Sequence, residues 1–267
     1  MMLKSGLEWT FNAVAEEYDK WRPTYVPELY KDIFTFKPIN QFSNVLEIGI
    51  GTGQATLPML ETGCKLIAVE LGEDLAEIVR RKFSQYNNIS VITGAFQNYE
   101  SNDNFYDLVY SASAFHWIPE EIGYNKVYKI LKSGGAFVRF ADHPFYGKNG
   151  QEALWEDIEK VYEKYMPRAK SSKPPQPMPE YTEVDAINRA NIALKYGFVD
   201  IAHKLYYRTI TYNSDDFIKR IAIQNDKIAL EKSIRDKLCT DIKATIDSHG
   251  GFITSFDTID MNIARKP

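Results

Sequence analysis

The sequence has little cysteine, no long apolar run and no excess of positive charge. Cys64 and Cys239 are its only cysteines, too few for a disulfide framework or a zinc site and typical of a reducing compartment. No apolar run approaches the roughly 20 residues that span a bilayer, and Met1 to Thr10 lacks the apolar core of a signal peptide. The net charge of −4 argues against a nucleic-acid-binding surface. These absences predict a soluble, cytoplasmic protein without a metal site, a membrane anchor or a nucleic-acid partner.

A glycine-rich stretch is the strongest local signal. The short apolar run from Val45 to Ile48 ends in glycines at alternate positions, Gly49, Gly51 and Gly53. An apolar run that ends in glycines ahead of helix-like sequence is typical of a buried parallel strand leading into a helix. Glycine permits positive φ and has no Cβ, so a ligand can lie directly against such a loop.

The spacing of these glycines excludes two phosphate-binding motifs. A dinucleotide fingerprint needs G-x-G-x-x-G, but Gln54 stands where its third glycine would be. No Lys-Ser or Lys-Thr pair follows the loop, which excludes a Walker-type phosphate cradle. The Glu47 carboxylate would repel a pyrophosphate but would suit an ammonium or hydroxyl group. The loop therefore predicts a ligand without phosphates.

Two motifs resemble a known enzyme family. Glu47-x-Gly49-x-Gly51-x-Gly53 resembles the first motif of class I methyltransferases that use S-adenosylmethionine (SAM). The stretch from Tyr106 to Trp117 resembles the corresponding motif of a type 11-like group that includes trans-aconitate methyltransferase. Alternating strands and helices already predict a doubly wound α/β fold. The resemblance adds a Rossmann-like sheet of seven strands, the last antiparallel, and methyl transfer from SAM to a small-molecule acceptor.

Cofactor contacts follow from position and from this resemblance. Glu70 ends the predicted second strand, where a carboxylate accepts hydrogen bonds from ribose hydroxyls in both dinucleotide and SAM sites. The resemblance places the Arg22 guanidinium against the cofactor carboxylate. Ala95 and Phe96 replace the acid that commonly holds adenine, so backbone groups and stacking are expected there. The expected contacts are Tyr18, Arg22, Glu47, Gly49, Gly51, Thr52, Gly53, Gln54, Glu70, Leu71, Ala95, Phe96, Ser111 and Ala112.

His116 is the candidate catalytic residue. The resemblance places His116 and Trp117 at the lip of the site, facing the substrate. His116 would be the general base if the acceptor must lose a proton. A carboxylate acceptor needs no base, and His116 and Arg22 would then position the substrate. A structural role is the alternative for a lone histidine.

We expect a single methyltransferase domain with an insertion. Its parts are a helical cap at 1–40, the SAM-binding core at 41–140, an insertion at 141–197 and the C-terminal part of the sheet at 198–267. Prolines concentrated between Arg168 and Glu180 predict an extended connection within that insertion. An insertion after a strand's carboxyl end lies over the ligand crevice, which favours a lid, with a surface excursion as the alternative.

Two other functions stay open. An NAD(P)-dependent oxidoreductase is disfavoured by Gln54 and Glu47. A SAM-binding protein without catalysis, acting through a partner, would keep the glycines and Glu70, and only methylation of an acceptor separates it from an enzyme.

Overall fold

The computed structural model describes residues 11–12, 14–166 and 179–267. Two helices precede the sheet, α1 (Ala15–Trp21) and α2 (Pro27–Phe36). Pro23 follows the end of α1, where a residue that cannot continue a helix is expected. Pro27 is the first residue of α2, where its missing N–H costs no helical hydrogen bond.

Strands and helices then alternate as the sequence predicts. In chain order they are β1 (Asn44–Ile48), α3 (Leu57–Leu60), β2 (Lys65–Glu70), α4 (Glu73–Lys82), β3 (Ile89–Thr93), β4 (Tyr106–Ala112), α5 (Glu120–Ile130) and β5 (Leu131–Phe145). Within β5, the pairing with β4 shifts register between Tyr106 and Leu108.

The C-terminal part adds helices and two long strands. They are α6 (Glu152–Tyr165), α7 (Glu183–Asn191), β6 (Val199–Asn213), α8 (Ser214–Ala222), α9 (Asn225–Ile228), α10 (Lys232–Ser248) and β7 (Phe252–Arg265). Helix α7 was not predicted from the sequence. A capping box marks its start, because Thr182 and Asp185 each accept a hydrogen bond from the other's backbone N–H.

The described strands form one sheet in the order β3-β2-β1-β4-β5-β7-β6. β1 pairs in parallel with β2 on one side and with β4 on the other, and β7 is antiparallel. The doubly wound prediction with its antiparallel last strand is thus confirmed. Chain order reverses between β1 and β4, and ligands of such sheets bind outside the strand ends at that point.

The chain divides into two compact units. The first comprises Met1–Asp142, Thr182–Tyr206 and Ile259–Pro267, and the second comprises His143–Tyr181 and Tyr207–Thr258. These bounds do not coincide with the expected parts at 141–197 and 198–267. The prediction of an extended connection falls mostly on 168–178, which lies outside the described residues.

Each unit has its own apolar core. In the first, the buried side chains of β1 (Val45, Leu46 and Ile48) pack among those of its neighbouring strands and helices. In the second, α6 and α8 pack against α10 around Ile158, Phe217 and Ile242, which are fully buried. Within the described ranges, none of the helices has the length and apolar character needed to cross a membrane.

Candidate cofactor site

A cavity of about 290 Å³ lies in the first unit. Its walls include the residues at the carboxyl ends of neighbouring parallel strands: Gly49 after β1, Glu70 at the end of β2, Ala95 after β3 and Ala112 at the end of β4. The cavity therefore occupies the position where the reversal of strand order opens a crevice.

The glycine loop forms one wall with bare backbone. Gly49 has φ +71°, and a Cβ there would lie 2.4 Å from Cβ of Ala114, so only glycine fits without movement. Its N–H donates to the Val69 carbonyl at 2.8 Å, which ties the loop to β2. Gly51, at φ +59°, also lines the cavity, and a Cβ there would reach into the space near Tyr18 and Gln54.

Glu70 is a buried carboxylate whose side chain lines the cavity. It is 7% exposed and accepts the N–H of Gly51 at 2.7 Å on one oxygen and that of Gly72 at 3.0 Å on the other. Burial raises the pKa of Glu70, although both hydrogen bonds oppose the rise. A carboxylate oxygen can accept two hydrogen bonds, so each Glu70 oxygen can still accept one ribose hydroxyl.

The N-terminal helix contributes a cation. Arg22 follows α1 and lines the cavity with Tyr18, and its guanidinium carbon lies 6.0 Å from the centre of the Tyr18 ring. Burial alone would lower the pKa of Arg22, but Tyr18, Tyr25 and Asp142 raise it above its ordinary value. Arg22 is therefore a permanent positive charge in this wall, suited to a carboxylate.

Most of the expected cofactor contacts meet in this one cavity. They are Tyr18, Arg22, Gly49, Gly51, Gln54, Glu70, Leu71, Ala95, Phe96 and Ala112. The side chains that would hold a ribose and a carboxylate, Glu70 and Arg22, belong to the same lining. Since Gly51 leaves room that a side chain would fill, the residues present fit SAM.

The comparison with known families agrees with this geometry. Residues 45–135 match a family described as a methyltransferase domain, and this range contains β1 to β4 and the loop that follows each. Residues 45–135 are a class I SAM-dependent methyltransferase domain. The identification predicted from the two motifs is therefore confirmed.

Similar proteins support the assignment over part of the chain. An uncharacterised methyltransferase of Schizosaccharomyces pombe is 28% identical over 127 residues, which cover 47% of this chain and 49% of that protein. A malonyl-[acyl-carrier protein] O-methyltransferase of Ilyobacter polytropus is 26% identical over 149 residues, covering 54% and 55%. The chain spans about half the length of the curated relatives that it matches.

A solved structure shares the fold over a longer range. It is phosphoethanolamine N-methyltransferase 2 of Haemonchus contortus in complex with SAM, similar with a TM-score of 0.55 and 17% identity. The similarity covers 96% of this chain and 57% of that protein. At this identity the comparison shows the fold alone, and it extends that fold beyond the matched methyltransferase domain.

Glu47 is not part of the lining of this cavity, and its expected contact with the cofactor stays a prediction. It is fully buried within β1, and one carboxyl oxygen accepts the hydroxyls of Thr56 at 2.7 Å and Tyr110 at 2.6 Å. Burial raises the pKa of Glu47 to about 8, so it is largely protonated at neutral pH. A neutral, enclosed carboxyl group with these contacts supports the glycine loop from within the core.

Three further expected contacts also lie behind the cavity wall. Thr52 is fully buried and accepts a hydrogen bond from the Gln54 side chain. A Cβ at Gly53 would lie 2.4 Å from the Phe83 ring, so this glycine serves packing against α4. The Ser111 hydroxyl donates to the Ile48 carbonyl at 2.7 Å and joins β4 to β1. These residues shape the loop instead of lining the cavity of about 290 Å³, which we call the methyltransferase cavity.

His116 also lies outside the cavity lining, and its expected place facing the substrate stays a prediction. It is exposed in the short 3₁₀ turn Phe115–Trp117. Successive side chains of such a turn point in different directions, so Phe115 is buried while Trp117 lines the cavity. The ring centres of His116 and Trp117 are 4.9 Å apart. The geometry gives no support to His116 as the base.

Ser113 and Tyr25 line the methyltransferase cavity and were not predicted. Their side-chain oxygens are 2.8 Å apart. Ser113 has φ +53°, a strained conformation for a residue with a side chain and one that clusters at functional sites. Burial raises the pKa of Tyr25 to about 12, so its hydroxyl is neutral. In the sequence, only their positions could have identified these two residues, because Ser113 directly follows β4 and Tyr25 follows Pro23.

Proposed function

We propose that this protein transfers the methyl group of SAM to a small molecule and that the acceptor atom is a carboxylate oxygen. The observation that carries this proposal is the presence of Glu70 and Arg22 in one cavity beside the glycine loop. A carboxylate suits the ribose diol of SAM, and a guanidinium suits its amino-acid carboxylate. The ribose diol and the amino-acid carboxylate are two of the polar groups of that cofactor.

The protein has little covalent chemistry to perform. Bound SAM would supply a methyl group that its sulfonium already activates. The residues of the cavity would align the acceptor with that methyl group and keep water away. Trp117 and Phe11 line the cavity with their ring centres 6.4 Å apart, and Ile118 adds an aliphatic side chain. This apolar part of the wall supports the exclusion of water.

The position of His116 supports a carboxylate as acceptor. A carboxylate is already ionised at neutral pH, so its methylation requires no general base, and His116 lies outside the cavity lining. The similarity to an O-methyltransferase that acts on a malonyl group is consistent with this class of acceptor. Under this proposal Tyr25 and Ser113 are groups that could donate hydrogen bonds to the acceptor.

The decisive experiment uses SAM labelled in its methyl group. The full chain is incubated with the label and the small-molecule fraction of a cell extract, and the products are resolved by mass spectrometry. We expect a labelled methyl ester that mild alkali hydrolyses, and no product with Glu70→Ala. A labelled product that resists alkali would contradict the carboxylate assignment. Bound SAM without any labelled product would instead favour the non-catalytic SAM-binding alternative.

A further inference from the structure

A second, much smaller cavity in the first unit is lined by basic and amide side chains. Its volume is about 10 Å³, close to the space that one water molecule occupies. Arg139 of β5, Arg189 of α7 and Asn262 of β7 line it. Arg139 is 8% exposed and Asn262 is 6% exposed, so at least nine-tenths of each is removed from solvent.

The polar atoms around this cavity are incompletely paired. Arg139 donates through Nη1 to the Tyr124 hydroxyl, and Arg189 donates through Nη1 to Asp260 at 3.1 Å. The Nε–H groups of Arg139 and Arg189 and both amide atoms of Asn262 are buried without a hydrogen-bond partner. Buried polar groups in folded proteins are nearly always paired, so these atoms indicate a bound species that fills the cavity.

The charge around the cavity is unbalanced. Arg139 and Arg189 carry two positive charges, and Asp260, fully buried and paired with Arg189, carries one negative charge. Burial lowers the pKa of Arg139, and the charge of Arg189 adds to this effect. Among these three side chains, one positive charge therefore has no carboxylate partner of its own, and an unpaired charge is costly where it is shielded from water.

We propose that this cavity is a binding site for a single halide-sized anion such as chloride. Three kinds of N–H donor line it, from Arg139, Arg189 and Asn262, and one anion can accept from all of them. A water molecule accepts two hydrogen bonds and leaves the positive charge uncompensated. Among these three side chains, the amide oxygen of Asn262 is the one hydrogen-bond acceptor. The net positive charge outweighs its repulsion of an anion.

The anion would position a wall of the methyltransferase cavity. The guanidinium carbon of Arg139 lies 4.9 Å from the Phe115 ring centre and 5.4 Å from that of Tyr124. Phe115 begins the turn that brings Trp117 and Ile118 into the cavity lining. An anion bound to Arg139 would hold its guanidinium against Phe115 and so support that turn.

Crystals of the wild-type full chain grown in sodium bromide test the site directly. We expect an anomalous bromide peak within hydrogen-bonding distance of Arg139, Arg189 and Asn262. Density for a water molecule without an anomalous signal would overturn the proposal. This measurement needs no variant and does not depend on the proposed methylation, so its failure would leave that function intact.

A melting experiment in solution supplies the matched control. Replacing gluconate with chloride at constant ionic strength should raise the melting temperature of the wild type by about 3 °C or more as the site saturates. Asn262→Leu should lose this difference, because it removes an amide donor from the cavity. Lys195→Ala, which removes an exposed positive charge, should retain it. An equal chloride effect in wild type and Asn262→Leu would show general screening and overturn the site.

Discussion

At the residue scale, two buried glutamates near the glycine loop have different surroundings and different roles. Glu47 accepts hydrogen bonds from the side chains of Thr56 and Tyr110 within the core. Glu70 accepts them from backbone N–H groups and remains part of the cavity lining. Burial raises the pKa of both groups. The direction in which each side chain leaves its strand thus decides whether it supports the loop from the core or lines the cavity.

The raised pKa of Glu47 predicts a stability that depends on pH. A carboxyl group with a folded-state pKa of about 8, compared with an ordinary value of 4.5, contributes stability below pH 4.5 that is lost as the pH rises through 8. We expect the melting temperature of the wild type to fall between pH 6 and pH 9 by roughly 4–12 °C more than that of Glu47→Gln, equivalent to about 2–3 kcal/mol.

Glu47→Gln should show the weaker dependence because its amide stays neutral and can still accept from Thr56 and Tyr110. Differential scanning calorimetry at several pH values measures the effect. Glu61→Gln, which removes an exposed carboxylate, is the control and should follow the wild type. Parallel curves for wild type and Glu47→Gln would show that Glu47 is ionised throughout.

Glu70→Ala should weaken cofactor binding and should also lower the stability of the protein without cofactor. Two charge-assisted hydrogen bonds to the ribose, each worth about 1.5–3 kcal/mol, are lost, so the affinity for S-adenosylhomocysteine should fall roughly ten- to a hundredfold or more at 1.4 kcal/mol per decade. The N–H groups of Gly51 and Gly72 also lose their acceptor, which should cost about 1–3 kcal/mol of unfolding free energy.

Titration calorimetry with S-adenosylhomocysteine measures the change at Glu70. Glu70→Gln, which retains an acceptor oxygen, should lose less affinity than Glu70→Ala. Glu73→Ala, at the exposed start of α4, is the control and should bind as the wild type does. Unchanged affinity in Glu70→Ala would remove Glu70 from the binding site.

At the element scale, the loop after β1 and the turn after β4 are packed against each other. A Cβ at Gly49 would lie only 2.4 Å from Cβ of Ala114, so the position admits no side chain. Ser113, in the same turn, contacts Tyr25 and donates its N–H to the Phe140 carbonyl at 2.8 Å. The two elements therefore cannot move independently without losing these contacts, which makes the cavity wall sensitive to the size of residue 49.

Alanine substitutions at two glycines distinguish the cost of close packing from the cost of backbone strain. Gly49 and Gly134 both have φ +71°, but a Cβ at Gly134 would meet nothing within 4 Å. Gly134→Ala should therefore cost only the strain of a left-handed residue, about 1–2 kcal/mol. Gly49→Ala adds the clash with Ala114, so it should lower the melting temperature further and weaken S-adenosylhomocysteine binding at least about tenfold, or 1.4 kcal/mol.

Melting curves and calorimetry of the two alanine variants make this comparison. The loss of cofactor affinity should occur in Gly49→Ala alone, because Gly134 is absent from the cavity lining. Equal effects of the two substitutions on binding would mean that the approach of the loop to Ala114 does not shape the cavity.

At the scale of the whole molecule, the cavity belongs to the first compact unit, which contains the methyltransferase domain at 45–135. A ligand that binds the folded protein alone stabilises it by mass action. At a hundred times its Kd, S-adenosylhomocysteine should add about 2.7 kcal/mol and raise the melting temperature by roughly 5–10 °C.

NAD at the same concentration should leave the melting temperature unchanged. The Gln54 side chain lines the cavity at the position that a dinucleotide fingerprint reserves for glycine. Parallel melting curves with each ligand measure this selectivity. A larger shift with NAD than with S-adenosylhomocysteine would contradict the assignment of the cofactor.

Local sequence patterns were sufficient to predict much of the fold and part of the cavity lining. Val45 to Ile48 predicts a buried strand because apolar residues in succession are stable only where both faces of a sheet are covered. Glu70 could be placed at the end of β2 because the limits of that strand depend on nearby glycines and on apolar periodicity, whereas the position of Arg22 came from resemblance; both residues line the cavity. The antiparallel last strand came from resemblance, not from these local patterns.

The direction of individual side chains was decided only by tertiary packing. Glu47, two residues before Gly49, was expected at the ligand, but β1 turns its carboxyl group towards Tyr110, a residue 63 positions away. His116 and Trp117 are neighbours in sequence, yet only Trp117 lines the cavity. The cluster of Arg139, Arg189 and Asn262 joins three distant parts of the chain. Strand and loop formation depends on neighbouring residues, so the sequence by itself determined the alternation of strands and helices around the cavity, although not α7. Which faces meet depends on contacts between distant elements, and these exist only once the sheet is assembled.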